Sequence, residues 1–366
     1  MPIKGLVLAG GKGTRLRPIT SSMSKQLLPI ANRPILHYVI EDLIGYGVEE
    51  IGVVLDEGTA AEIIASVETT FRKPGVSFQY IYQSYPGGLA HAVQESRGFL
   101  GEDPFILYLG DNMLYPGISE FRGRIDTSDG CARVMLAEVP NPQDFGVAEL
   151  GEDGFTLVSL EEKPKDPKSN FALVGIYFLP PEIHDIIDDL KPSARGELEI
   201  TDALVKFMER YPLKLSSQRV DGWWKDTGSV EALLSANRLV LDRRPYILNP
   251  ATATSYKSIL GNRYEGRHEI GADCEISYSQ ILGPCVIGKG ARITASRIGP
   301  YVSIGDGVVV DHTEVSESVV MEGAQILNAG RLSDSIIGRG CSILNSRMGN
   351  RLVVGDYSVV EVATGQ

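Results

Sequence analysis

The residues best suited to chemistry come early in the chain. Leu8-Ala9-Gly10-Gly11-Lys12-Gly13-Thr14-Arg15-Leu16-Arg17-Pro18 continues directly from the apolar run Gly5-Leu6-Val7-Leu8. Gly10, Gly11 and Gly13 have no side chains to keep phosphate oxygens from backbone N–H groups, and Arg15 adds a forked, permanently charged donor. This is not a Walker loop, because Lys12 is followed by Gly13 rather than Ser or Thr. It is not a dinucleotide fingerprint either, because Leu16 stands where a small residue is needed. Two carboxylates complement the loop. Asp111, in Tyr108-Leu109-Gly110-Asp111-Asn112, ends an expected strand at the edge where open α/β sheets bind ligands, and Asp226 follows in Trp223-Trp224-Lys225-Asp226-Thr227-Gly228. Magnesium favours one or two carboxylates with phosphate oxygens and water, so Asp111 and Asp226 are a candidate Mg²⁺ clamp.

These residues need a scaffold. Apolar runs predict strands at Lys4–Leu8, Ile51–Leu55, Phe78–Gln83, Phe105–Leu109, Arg133–Val139 and Val174–Leu179. Between them, helical patterns cover Pro34–Gly45, Ala60–Phe71, Leu89–Phe99 and Glu199–Arg210, and a further helix after Ser229 has that serine as its N-cap. The alternation predicts an α/β domain over residues 1–241, with 242–266 as a linker. From 267 to 366 the pattern changes, and an aliphatic residue recurs every five or six positions: Ile281, Ile287, Ile293, Ile298, Ile304, Val310, Val315, then Ile337, Ile343, Met348, Val354 and Val360. Units such as Ile287-Gly-Lys-Gly and Ile304-Gly-Asp-Gly pair one inward side chain with a glycine corner, the hexapeptide signature of a parallel β-helix.

Composition narrows the function classes. A net charge of -12 disfavours a nucleic-acid-binding surface, although an anionic small molecule can still be met by a few clustered bases and a cation. With 43% hydrophobic and 22% charged residues and no uncharged apolar stretch of about 18 residues, the chain is expected to be soluble and not membrane-bound. The apolar run after Met1-Pro2-Ile3-Lys4 is too short for a signal-peptide core, so a cytoplasmic location is expected. Cys131, Cys274, Cys285 and Cys341 show no C-x-x-C spacing, which predicts buried thiols rather than zinc ligands or disulfides.

The glycine loop followed by Ser24-Lys25-Gln26-Leu27-Leu28-Pro29 resembles the signature of the sugar-1-phosphate nucleotidyltransferases, and Lys-Gln-Leu-Leu-Pro is similar to the glucose-1-phosphate thymidylyltransferase branch. The resemblance implies a Rossmann-like domain with a mixed sheet, followed by a left-handed β-helix. It implies that Arg15 and Lys25 hold a triphosphate, that Leu8, Gly10, Gly11, Gly13 and Thr14 line it, and that Gln26 touches the nucleoside. Gln83-Ser-Tyr-Pro-Gly-Gly88-Leu-Ala-His91 resembles the segment that reads the base through Gln83 and the Gly88 backbone, with His91 departing from the glutamine of short relatives. For the sugar phosphate it implies Gly146, Glu162 and Lys163 (in Glu161-Glu162-Lys163-Pro164), Val174, Tyr177 and Arg195, with Lys163 joining Arg15 and Lys25 as catalytic. Trp-Trp-Lys-Asp at 223–226 departs from the shorter Trp-Leu-Asp motif.

The implied reaction joins dTTP and glucose 1-phosphate, with Mg²⁺ as cofactor, to give dTDP-glucose and pyrophosphate. UTP or an amino-sugar phosphate is the alternative within the class. A bifunctional enzyme with acyltransferase activity in the β-helix is a further one, weakened because only His268 and His312 lie there. The open coil faces predict a homo-oligomer.

Overall fold

The computed structural model describes residues 3–72, 74–122, 125, 129–154, 156–243, 257–258, 261–345 and 351–361. Met348 and linker residues 244–256 and 259–260 lie outside the described residues. The chain divides into two compact units: Met1–Gly11 with Ile35–Asp226, and Lys12–Pro34 with Thr227–Gln366.

The first unit contains β1 (Lys4–Leu8), β2 (Glu50–Leu55), β3 (Ser77–Tyr82), β4 (Phe105–Leu109), β5 (Asn112–Tyr115), β6 (Ala132–Glu138), β7 (Gly146–Leu150), β8 (Leu157–Glu162), β9 (Phe171–Leu179), β10 (Leu215–Arg219) and β11 (Trp223–Asp226). Its main sheet runs β8-β7-β9-β4-β1-β2-β3, with β6 beside β9 and β10 beside β6. Pairing is parallel among β4, β1, β2 and β3 and antiparallel from β9 to β4, so the sheet is mixed, as expected. Leu6 and Val7 in β1 and Phe105 to Leu107 in β4 are fully buried, which is why these strands read as unbroken apolar runs rather than alternating ones. β5, β7, β8, β10 and β11 were not among the strands predicted from apolar runs. They are short and mix polar with apolar residues, so periodicity does not reveal them.

The helices are α1 (Ile35–Tyr46), α2 (Ala60–Phe71), α3 (Leu89–Glu95), α4 (Arg97–Leu100), α5 (Ile183–Asp188) and α6 (Ile200–Arg210). In α6 the buried Ile200, Ala203, Leu204 and Phe207 follow helical spacing and join the core formed by Leu136, Leu173 and Leu179. The single helix expected over 89–99 is two. Ser96 is fully buried and its hydroxyl donates to Ala92 O at 2.7 Å, a back-bond that competes with the helical ladder where α3 gives way to α4.

In the second unit, α7 (Val230–Arg243) starts at the expected N-cap, with Ala232 N donating to Ser229 Oγ at 3.2 Å. The β-helix follows. One six-stranded sheet stacks His268–Ile270, Cys285–Ile287, Val302–Ile304, Val319–Val320, Ile336–Ile337 and Val353–Val354, all parallel. A ten-stranded parallel sheet supplies the remaining strands. Two of its strands, Lys257–Ser258 and Arg263–Glu265, fall within the stretch expected as a linker and pair with Glu275–Ser277 and Gln280–Leu282. Corner contacts repeat every 17 residues, so each coil is close to three hexapeptides. The aliphatic series points inward as predicted: Ile281, Ile287, Ile293, Ile298, Ile304, Val310, Val315, Ile337, Ile343 and Val354 form one core, with Val360 packed against it. Ser279, Ser296 and Thr313 form a ladder beside it. Each hydroxyl accepts from a backbone N–H one coil further on, at 3.0–3.1 Å, which satisfies polar groups that the core would otherwise strand. Cys274, Cys285 and Cys341 are buried free thiols and Cys131 is partly exposed. Among the described residues no helix is long and apolar enough to cross a membrane.

Candidate active site

The carboxyl ends of β1, β2, β3 and β4 gather several expected residues. Leu8 is opposite Leu109 in β4, and Gly110 N donates to Leu8 O at 2.9 Å, so the start of the glycine loop runs beside Asp111. Gly11 N donates to Asp56 Oδ2 at 3.2 Å, and Asp56 Oδ1 also accepts from Thr59 N at 3.1 Å. Asp56 was not singled out in the sequence; its position just past a parallel strand was the available signal. A Cβ built on Gly10 would meet nothing closer than Asp56 N at 3.8 Å and Gln83 Oε1 at 4.0 Å, so space is open there.

Gln83 has a fixed orientation. Its Nε2 donates to Gly88 O at 3.1 Å and to His91 Nδ1 at 2.9 Å. Gly88 O can only accept, which sets the amide; His91 Nδ1 then accepts and its Nε2–H faces Glu95 Oε1 at 3.2 Å. The ring of Tyr85, itself exposed, packs 4.3 Å from that of His91. Gly88 has φ 99°, and a side chain there would collide with the Leu198 backbone, where Ala90 N donates to Leu198 O at 3.0 Å. The missing side chain at Gly88 therefore serves a close backbone approach.

Strand pairing joins the segments that carry the two expected metal ligands. β5 and β11 run antiparallel with Asp226 opposite Asn112, one position from Asp111. Asn112 ties Asp111 to Trp224 of β11: its Nδ2 donates to Asp111 Oδ1 at 3.4 Å, and its Oδ1 accepts from Trp224 Nε1 at 2.8 Å. The extra tryptophan of the Trp-Trp-Lys-Asp motif thus fixes Asn112. The other, Trp223, stacks on Tyr115 at 5.9 Å. Beside them β9 slips register between Leu173 and Tyr177. Gly175, in this irregular stretch, has φ 74°, and a Cβ there would meet Asn112 Nδ2 at 2.9 Å.

The expected sugar-phosphate residues form a second group. Glu162 ends β8 opposite Gly146. Its Oε2 accepts from Thr201 Oγ1 at 2.6 Å, and its Oε1 from Arg195 Nη2 at 3.0 Å. A Cβ on Gly146 would meet Thr201 Oγ1 at 2.8 Å and Glu162 Oε2 at 3.2 Å, so only glycine allows this approach. Lys163 has φ 45°, a left-handed backbone held by its N–H donating to Phe145 O at 3.0 Å, and its Nζ lies 3.7 Å from Glu162 Oε1. Arg195 is shared with buried Glu199, to which Nη2 donates at 2.8 Å. Val174 and Tyr177 are buried in β9. Burial, with a smaller contribution from the Glu162 charge, pushes the Tyr177 hydroxyl pKa up.

Arg15, Lys25, Thr14, Gly13 and Gln26 belong to the second unit. Gly13 has φ 55°, and a Cβ on it would lie 3.1 Å from Lys25 Cβ, so the glycine lets the lysine stem pack against the loop. Thr20 Oγ1 donates to Gly13 O at 2.7 Å. Arg15 is exposed; Gln26 is buried, its Oε1 accepting from Ser24 Oγ at 2.5 Å. In the β-helix, His312 is a surface group 3.0 Å from Asp311 Oδ1.

The glycine loop and Asp111 thus follow neighbouring strands of a mixed α/β sheet, and a β-helix lies in the same chain. The family model for "Nucleotidyl transferase" matches residues 4–243, and that for "GMPPB C-terminal domain" matches 281–364. The chain is 44% identical over 304 residues to a glucose-1-phosphate thymidylyltransferase of Streptomyces griseus, covering 82% of each. It is 45% identical over 240 residues to a low-salt glycan biosynthesis nucleotidyltransferase of Haloferax volcanii, covering 66% of each. Among solved structures, a Bacillus anthracis protein assigned as a glucose-1-phosphate thymidylyltransferase aligns at TM-score 0.60 and 35% identity, covering 65% of this chain and 94% of that one. A UDP-glucose pyrophosphorylase complexed with UDP-glucose aligns at 0.58 and 28%, covering 67% and 100%. The chain belongs to the nucleotidyl transferase family and is an enzyme of that class.

Proposed function

We propose that the chain transfers a nucleotidyl group from dTTP to glucose 1-phosphate, giving dTDP-glucose and pyrophosphate. The observation that supports this reading is the β5–β11 register, in which Asp226 pairs with Asn112, the chain neighbour of Asp111. Two carboxylates suit a hard dication that completes its shell with triphosphate oxygens and water. Asp111 and Asp226 would hold Mg²⁺, which when bound neutralises triphosphate charge at the reacting phosphorus.

The chain's own residues do the rest by position and charge. Arg15 and Lys25 hold the triphosphate and stabilise the leaving pyrophosphate, while the backbone of Leu8, Gly10, Gly11, Gly13 and Thr14 lines it and Gln26 meets the nucleoside. Lys163 holds the attacking phosphate of the sugar in line with the α-phosphorus. Glu162, braced by Arg195 and Thr201, accepts from sugar hydroxyls, next to the backbone of Gly146 and the strand that carries Val174 and Tyr177. A phosphate monoester with a second pKa near about 6 is already largely ionised at neutral pH, so no general base is needed. Gln83 turns Oε1 rather than Nε2 towards the glycine loop, which favours a base with an N3–H donor, thymine or uracil, over cytosine. We assign the chemistry to residues 1–241 and self-association as a homo-oligomer to 267–366, in the cytoplasm, with a joining role for the part of 242–266 outside α7 and the strands Lys257–Ser258 and Arg263–Glu265.

The relatives named as thymidylyltransferases favour dTTP. A second reading, UTP, has its own support: the Gln83 geometry does not separate thymine from uracil, and one structural neighbour holds UDP-glucose. Initial rates of pyrophosphate release decide between them, with dTTP, UTP, dCTP and dATP each paired with glucose 1-phosphate and with its amino-sugar analogue. The expected order in kcat/KM is dTTP, then UTP, with the other two far below. A preference for UTP or the amino sugar moves the assignment to the second reading, and no release with any pair sinks nucleotidyl transfer.

A further inference from the structure

The loop that carries Arg15 and Lys25 is fastened to the β-helix, and the attachment has an internal control. In the interior coils, the glycine at each corner packs against the backbone of the next coil. A Cβ on Gly288, Gly305 or Gly338 would lie 2.6 Å from the backbone N of Asp306, Glu322 or Asp356. Gly355, in the last described coil, packs instead against the N-terminal loop, where a Cβ would lie 2.9 Å from Pro18 O. The loop takes the place of a further coil.

The next residue makes the joint polar. Asp356 Oδ1 accepts from Arg339 N at 2.7 Å, and its Oδ2 meets Arg339 Nη2 at 2.7 Å and accepts from Ser22 Oγ at 2.8 Å. Arg339 Nη2 also donates to Ser22 O at 3.4 Å. Asp306 stands at the equivalent corner and makes the same bond to the preceding coil, with Lys289 N donating to Oδ1 at 2.9 Å, but among the described residues no hydrogen bond or ion pair joins it to the loop. Its side chain is 50% exposed, whereas that of Asp356 is 1% exposed. The coil corner alone therefore does not require a buried aspartate. At its other end the loop is also tied to this unit: Asn32 Nδ2 donates to Ile304 O at 2.5 Å, and Ala31 packs with Leu241 and Val286.

Resting on the nucleotidyl-transfer reading, we propose that the Arg339–Asp356 pair, through Ser22, holds the loop carrying Arg15 and Lys25 in its working conformation. Arg339 and Asp356 are then positioning residues, and the β-helix has a role in triphosphate binding as well as in assembly. Rigid support of this kind matters because a charge stabilises a transition state only when it is already in place.

Two measurements on the full-length chain test this. Hydrogen exchange without substrates reads the loop directly. Asp356→Asn and Ser22→Ala should each speed exchange of amides 13–28 by about tenfold, as for a lost charge-assisted bond, and Asp306→Asn should not. Ser22→Ala leaves the coil corner intact, so it still reports if Asp356→Asn unfolds the last coil. In steady-state kinetics both variants should raise KM for the triphosphate about tenfold, with KM for the sugar phosphate changed less than about twofold. The double variant should be no worse than the poorer single one, because both remove one joint. Unchanged exchange over 13–28, equal effects from Asp306→Asn, or faster exchange with wild-type kinetics would each overturn the proposal. Absence of nucleotidyl transfer by the wild-type chain would instead overturn the functional reading, while the exchange comparison separately decides the joint.

Discussion

Lys163 carries two separable properties, a charge and a left-handed backbone. A non-glycine residue at φ 45° stores strain on the order of 1 kcal/mol or more, which the Phe145 O hydrogen bond and the Glu162 contact offset. Lys163→Gly should relieve the strain yet remove the cation, so its melting temperature is expected to equal or exceed wild type while kcat/KM falls on the order of a hundredfold, about 3 kcal/mol. Loss of stability together with activity would mean that the lysine is structural. Asp226→Ala should lose a similar factor with the fold intact by circular dichroism, and turnover near wild type would remove it from the metal pair. His91 acts through Gln83. His91→Phe keeps a ring against Tyr85 but removes the acceptor for Gln83 Nε2, so the preference for dTTP over dCTP should shrink about tenfold; an unaltered ratio would show that Gly88 O alone orients the amide.

At the scale of elements, α1 is locked to the short turn Ile118–Phe121 by one carboxylate. Asp42 accepts from Ile118 N at 2.8 Å and from Tyr108 Oη at 3.2 Å. Burial outweighs these bonds and raises its pKa from 3.8 to about 6. The sign follows from the folded state holding the proton more tightly than the unfolded chain. Its favourable contribution is present below pH 3.8 and is lost as pH rises to about 6, a difference of up to about 3 kcal/mol. Asp42→Asn keeps an acceptor for the turn and can donate to Tyr108. The stability difference between variant and wild type should therefore grow in favour of the variant between pH 4 and 6 and level off above, as followed by thermal melts. A constant difference across that range would show that Asp42 titrates normally.

For the whole molecule, the β-helix gives one continuous aliphatic core and leaves Tyr278, Tyr357 and Val359 exposed on its surface. Exposed apolar groups on a stacked scaffold are the usual raw material for symmetric self-association. We expect sedimentation of the full chain to give a closed oligomer at micromolar concentration, and a monomer there would refute the homo-oligomer. The net charge of -12 also bears on substrate capture: two anionic reactants must enter a protein of like sign, so the few bases of the site work against the general field. Catalytic efficiency should therefore rise with moderate salt before ion binding competes, and a monotonic fall would contradict this.

Some of this was present in the sequence because it is local. The glycine loop announces itself through missing side chains, Ser229 through its place before a helical pattern, and the β-helix through a short period that each coil must repeat to bury its own aliphatic residue. Other features depend on partners far away in the chain. Asp226 meets Asn112 by strand register, Glu162 is braced by Arg195 and Thr201, β9 slips at Gly175 to pass Asn112, and Pro18 and Ser22 meet Gly355 and Asp356. No local propensity encodes such pairs. Backbone chemistry and periodicity act within a few residues, whereas register, burial and the choice of hydrogen-bond partner are decided only when distant segments compete for the same space.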